Sequence, residues 1–115
     1  TRAESYEGKG ELGNLSLRFV EQNGREVVGK NELYQNYPNP FDQRTVIGIN
    51  LSQGGKGSLK IYDVTGRGIR TVEQEWNRGY QEVWIDRREI GSTGVLYYRF
   101  ETNFFTASKK MIIVD

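Results

Sequence analysis

The chain holds no histidine and no cysteine in 115 residues. Without histidine, the usual side chain for proton transfer near neutral pH is missing. Without either residue a zinc site has no ligands to build from, and disulfide and thiol chemistry are excluded. Charge of one sign is equally scarce. Sixteen basic residues oppose fifteen acidic ones, so the net charge of +1 offers no field to draw in nucleic acid or an anionic membrane. No apolar run reaches the length of a membrane-spanning helix. No segment sustains a helical period. No leader-type segment is present, so the expectation is either an intracellular protein or a piece of a longer exported one. Proline is nearly absent: there are two, against fourteen glycines, a balance that suggests many tight turns.

Both prolines fall in one stretch, Leu33-Tyr34-Gln35-Asn36-Tyr37-Pro38-Asn39-Pro40-Phe41. Each fixes φ, lacks an N–H and pushes the residue before it towards extended geometry. Helix and central strand are therefore excluded here. Asn36 and Asn39 suit a turn, because their side chains can bond nearby backbone. Leu33, Tyr34, Tyr37 and Phe41 are expected to pin the bend to a core. The chain differs in character on either side, so the stretch marks the start of a domain spanning residues 32–115. Residues 1–31 are expected to be the end of a preceding β domain plus a linker. Within them, Leu15–Val20 alternates like a strand, and Asn23-Gly24 is a hairpin signal.

Beyond the bend the pattern is regular. Thr45–Leu51 sets Ile47, Ile49 and Leu51 on one face. Gln53–Gly57 reads as a loop. Leu59 and Ile61 oppose Lys60 and Tyr62 in the next strand. Asp63–Gly68 is a turn. Ile69–Trp76 is a strand with one polar side, which fits an edge. Asn77–Gly79 turns again. Tyr80–Asp86 sets Val83 and Ile85 against Glu82, Trp84 and Asp86. Arg87–Gly94 is irregular, with room for one helical turn. Val95–Thr102 groups Leu96, Tyr98 and Phe100. Thr106–Val114 ends with Met111 and Ile113 on one face. Short strands with turns at this spacing predict an all-β fold, an antiparallel sandwich or barrel.

Candidate sites are few. The acid pairs Glu82 with Asp86 and Glu73 with Glu75 lie at even spacing on strands and read as solvated faces rather than a glycosidase pair. Gly54-Gly55-Lys56-Gly57-Ser58 echoes a phosphate loop, but a strand follows where a helix is needed. The sequons at Asn14 and Asn50 are too short to be informative. Trp84 should point outward, where it either stacks on sugar or a partner or lies over a neighbouring strand or under the Arg87–Thr93 loop. Tyr97 and Arg99 share a face and are expected to stack. Lys109-Lys110 either protects an edge strand or supplies recognition charge. No catalytic residue, cofactor or metal is expected.

Several segments resemble the C-terminal sorting domain of the type IX secretion system of Bacteroidetes. They are Leu33–Phe41, Leu59-Lys60-Ile61-Tyr62-Asp63-Val64-Thr65-Gly66-Arg67, Gly79-Tyr80, Gly94-Val95-Leu96-Tyr97-Tyr98-Arg99-Phe100-Glu101-Thr102 and Lys109-Lys110-Met111-Ile112. The resemblance covers residues 32–115. It departs from the common form after Phe41, where Asp42-Gln43-Arg44 replaces Asn-Pro-Ser/Thr, and at Leu96, often aromatic. It implies an immunoglobulin-like antiparallel sandwich of about seven strands. It also implies a secretion signal that directs cargo through the outer-membrane translocon.

By the same resemblance, the partners are translocon components and a sortase-like surface peptidase. The covalent cargo lies on the N-terminal side, and its fate is surface attachment or release. The route runs through the periplasm to the outer membrane, cell surface or medium. Carried over to this sequence, the recognition residues are Pro38, Asn39, Pro40, Gly94, Tyr98, Arg99, Lys109, Lys110, Met111 and Ile112. The last strand is expected to pair with a receptor edge through its backbone, and the processing cut to fall in Glu21–Asn31. The alternative is an immunoglobulin-like adhesion module, binding carbohydrate or protein at the cell surface through Trp84.

Overall fold

A computed structural model describes residues 29–91 and 93–115. The hairpin, the first sequon and most of the expected processing segment fall in residues 1–28, outside the described residues. The strands are β1 Glu32–Leu33, β2 Arg44–Leu51, β3 Gly55–Asp63, β4 Gly68–Trp76, β5 Gly79–Asp86, β6 Gly94–Thr102 and β7 Thr106–Ile113, with one 3₁₀ turn at Arg87–Glu89. They form two antiparallel sheets, one ordered β1-β2-β5 and the other β4-β3-β6-β7. The chain changes sheet after β2, β4 and β5. This is the layered, crossing connectivity of immunoglobulin-like sandwiches.

The alternation expected from the sequence builds the core. Ile47, Ile49, Leu51 and Ile85 face inward from the three-stranded sheet. Leu59, Ile61, Leu96, Tyr98, Phe100, Met111 and Ile113 meet them from the other. Trp76 closes one end. Its ring stands edge-on to Phe100 at 5.1 Å, and its indole N–H donates to the Gly57 carbonyl at 2.9 Å.

That contact corrects the loop expected at Gln53–Gly57, because β3 already begins at Gly55. A Cβ at Gly57 would come within 2.7 Å of the Glu101 carbonyl. The glycine serves close strand approach, not a turn. The turn at Asp63 behaves as expected. Its carboxylate accepts from Thr65 N–H and Arg67 N–H, and Gly66 takes φ +90°.

The two-proline stretch is what ties the layers together. Its first half runs along β2. Leu33 pairs with Ile49, and Tyr37 exchanges backbone hydrogen bonds with Val46. Its second half crosses to β7, where Phe41 forms a parallel bridge with Ile113. One segment therefore closes an edge of each sheet. Leu33 and Phe41 are buried and act as the expected pins, and Tyr34 is half-buried, its ring edge-on to Tyr80 at 5.9 Å. Tyr37 is not a pin: its side chain is 77% exposed, and only its backbone is held.

Candidate functional site: the sealed edge

Around the bend, polar atoms from distant parts of the chain converge. Asn36 is buried, and its amide donates to the Pro38 carbonyl and to Thr45 Oγ1. Asn39 does something different from the local turn bond expected of it. Its Oδ1 accepts from the Ile112 backbone N–H at 2.9 Å. Gln35 Nε2 donates to the Lys110 carbonyl at 2.7 Å. Phe41 N–H donates to the Ile112 carbonyl, and Val114 N–H to the Phe41 carbonyl. The outer backbone edge of β7, from Lys110 to Val114, is thus engaged inside the domain. The expectation that this strand pairs with a receptor through its backbone loses its donors and acceptors over that half.

Tyr98 explains how the bend is held from below. It is fully buried. Its hydroxyl accepts from Asn36 N–H at 2.9 Å and donates to the Tyr34 carbonyl at 2.8 Å. Burial pushes this phenol well above its ordinary range, so it stays neutral and keeps both bonds. Tyr98 and Met111, both carried over as recognition residues, are inaccessible in the fold. Their roles are anchoring and packing.

The others stand at the surface. Pro38, Asn39, Pro40, Gly94, Arg99 and Lys110 are exposed, while Lys109 and Ile112 are half-buried. Register brings them together: Gly94 pairs with Ile113, Val95 with Ile112, Tyr97 with Lys110 and Arg99 with Ser108. Arg99, Lys110 and Ile112 thus share the outer face of β6 and β7, whereas Lys109 pairs with buried Tyr98 and takes the opposite face. Lys109 and Lys110 do lie in an edge strand.

Arg87 was missed by sequence reasoning. Its backbone N–H donates to the Gln43 carbonyl. Its guanidinium donates to the carbonyls of Asp42 and Val114 and to the Asp115 carboxylate. It ties the exit of the bend to the residues after β7. No spacing rule links positions this far apart. Within Asp42-Gln43-Arg44, where the sequence departs from the resemblance, Arg87 meets the backbone oxygens of Asp42 and Gln43, which any side chain leaves available. The other departure, Leu96, is a buried core position.

Two further expectations are settled by contacts. Tyr97 stacks on Tyr62, with centroids 5.9 Å apart and rings 25° from parallel, rather than on Arg99. Arg99 instead pairs with Glu101 at 3.6 Å. Trp84 points outward and is 53% exposed, with the Arg44 guanidinium 4.9 Å from its ring centroid. The sequon residue Asn50 is buried and donates to the Lys30 carbonyl, so its amide is not presented for modification in the fold.

Glu73 and Glu75 sit with Lys56 and Glu101 along an open depression of about 610 Å³. Among the described residues no group of acids is arranged to hold a metal ion. No helix among them is long and apolar enough to cross a membrane.

Comparison with known proteins adds the decisive observation. Residues 35–114 match the family model described as the secretion system C-terminal sorting domain. The chain belongs to that family. The domain is the C-terminal sorting signal of type IX secretion, and such a signal belongs to secreted or cell-surface proteins. No curated protein matches the chain. Among solved structures it is similar to dimeric latent PorU from Porphyromonas gingivalis, at 22% identity and a TM-score of 0.55. The match covers 84% of this chain and 10% of that one, so the chain spans a small part of that protein's length. At that identity the likeness speaks to the fold alone.

Proposed function

We propose that the sorting signal is read as a folded surface made by the two-proline bend and β7 together. The residues presented are Pro38, Asn39, Pro40, Gly94, Arg99, Lys109, Lys110 and Ile112. The observation that carries this reading is the Asn39–Ile112 bond, with its neighbours at Gln35 and Phe41, which fixes the bend against the strand. A receptor then meets side chains on a rigid support instead of an open backbone edge.

The readers are translocon components and, after crossing, a sortase-like surface peptidase. The cargo lies on the N-terminal side, and attachment or release follows. The module itself does no chemistry. Its task is to be recognised, and a side-chain set without histidine or cysteine suits that.

The test is a fusion of residues 1–115 to a periplasmic reporter in a type IX-competent bacterium. Translocon-dependent display is expected. The pair Lys109→Glu and Lys110→Glu should lower display at least several-fold while the purified domain keeps its melting temperature. Unchanged display in that variant would remove β7 from the recognition surface.

A further inference from the structure

The outer face of the four-stranded sheet shares Arg99, Lys110 and Ile112 with the recognition surface proposed above and continues it across β6 to β3. Cross-strand register sets Tyr62 beside Tyr97 and Tyr97 beside Lys110. One row further along, Lys60 pairs with Arg99. One row back, Val95 pairs with Ile112. The stacked Tyr62 and Tyr97 rings form the middle. Val64, 67% exposed, rises from the turn beside them. Two shallow depressions, of about 400 and 470 Å³, flank Tyr62.

The charge here is one-sided although the whole chain is nearly neutral. Lys60 and Lys110 have no ion-pair partner among the described residues, and both are exposed. The carboxylates nearby are engaged: Asp63 by Thr65 and Arg67, and Glu101 by Arg99. The free acids of this sheet, Glu73 and Glu75, sit towards its opposite end, opposite Ser58 and Lys56.

We propose that this face docks an acidic polypeptide segment of a partner protein, its carboxylates meeting the unpaired Lys60 and Lys110 and its apolar side chains covering the Tyr62–Tyr97 stack. Tyrosine rings of this kind are enriched at the centres of protein interfaces. Two unpaired cations are too few for a polyanion such as a nucleic acid. The patch spans three strands and about five residues, on the order of 200–250 Å² at usual strand spacings. That is well short of the ~800 Å² per partner of a stable dimer, which argues against a second copy and for a short segment held weakly. A signal that must be handed on and let go suits weak docking. The use of the face in sorting rests on the reading above, but the docking does not.

The chain of residues 1–115 is titrated calorimetrically with random poly(Glu,Tyr) copolymer, and separately with heparin. The copolymer should bind with a dissociation constant on the order of micromolar, and binding should fade at about 0.5 M salt. Lys60→Glu with Lys110→Glu should weaken it about tenfold or more, and Tyr97→Ser should weaken it several-fold. Glu75→Lys, at the far end of the sheet, should leave it no weaker. Melting curves of each variant confirm folding. Equal copolymer binding by wild type and Lys60→Glu/Lys110→Glu overturns the proposal, and so does binding of heparin alone. Failure of the wild-type fusion to reach the surface would sink the sorting reading while leaving the titration to decide the docking.

Discussion

The two sides of the sandwich treat their edges differently. On one side the two-proline segment covers β2 and then β7, so both sheets are sealed by the same nine residues. On the other side β4 and β5, joined by a tight turn, are the outer strands of their sheets. There the sheets are linked at one end by Arg70, whose guanidinium donates to the Trp84 carbonyl and to Glu89. At the other end Gln81 bonds the backbone of Asn77 in both directions. Between these points β4 is guarded by charge, with Glu73 and Glu75 exposed. Sealing by backbone gives a fixed shape. Guarding by charge gives only solubility. The recognition surface proposed above lies on the sealed side.

The contrast can be broken most severely at its centre. Phe41→Ala should cost about 3–5 kcal/mol in urea denaturation, because it empties a buried site and loosens the bridge to Ile113. The half-buried Val72 of β4, shortened to Ala, should cost about 1 kcal/mol or less. Equal costs would mean the sides are not distinct.

Next comes Tyr98→Phe. It keeps the ring and strands the Asn36 N–H and the Tyr34 carbonyl, for a loss of about 1–3 kcal/mol. Arg87→Ala should cost about 1 kcal/mol, since its bonds are partly exposed to water.

On the guarded side, Glu73→Val with Glu75→Val should leave unfolding within about 0.5 kcal/mol. It should promote self-association, visible by light scattering. A monodisperse variant would show that charge is not what guards β4.

The smallest effect concerns pH. Asp86 caps the 3₁₀ turn, and hydrogen bonds from the Arg88 side chain and backbone hold its carboxyl down at about 2. A depressed folded value means the contribution is complete above the unfolded carboxylate range. It fades as pH falls from about 4 towards 2. Asp86→Asn should flatten the melting temperature slightly across that interval and nowhere else.

The strands were legible in the sequence because alternation writes them directly. Ile47/Ile49/Leu51 and Leu96/Tyr98/Phe100 could be assigned to a face by counting in twos. The bend was legible as a bend, because proline restricts its neighbours whatever the tertiary context. What the bend touches was not. Asn39 reaching Ile112, Arg87 reaching Val114 and Gly57 making room beside Glu101 are each set by distant packing. A glycine in a strand and a glycine in a turn look alike until the neighbour is known. Alternation alone sets Tyr98 with Leu96 and Phe100, and Met111 with Ile113, on inward faces; the motif resemblance nevertheless carries both over as recognition residues. Motif resemblance marks a position as needed but does not separate contact from support.

Native-state hydrogen exchange at the Ile112 and Val114 amides tests the sealed edge most directly. Held by Asn39 Oδ1 and the Phe41 carbonyl, both should exchange far more slowly than an open peptide. Asn39→Ala should release Ile112 selectively. Exchange of both amides in the wild type at the rate of an unstructured chain would mean the bend does not clasp β7.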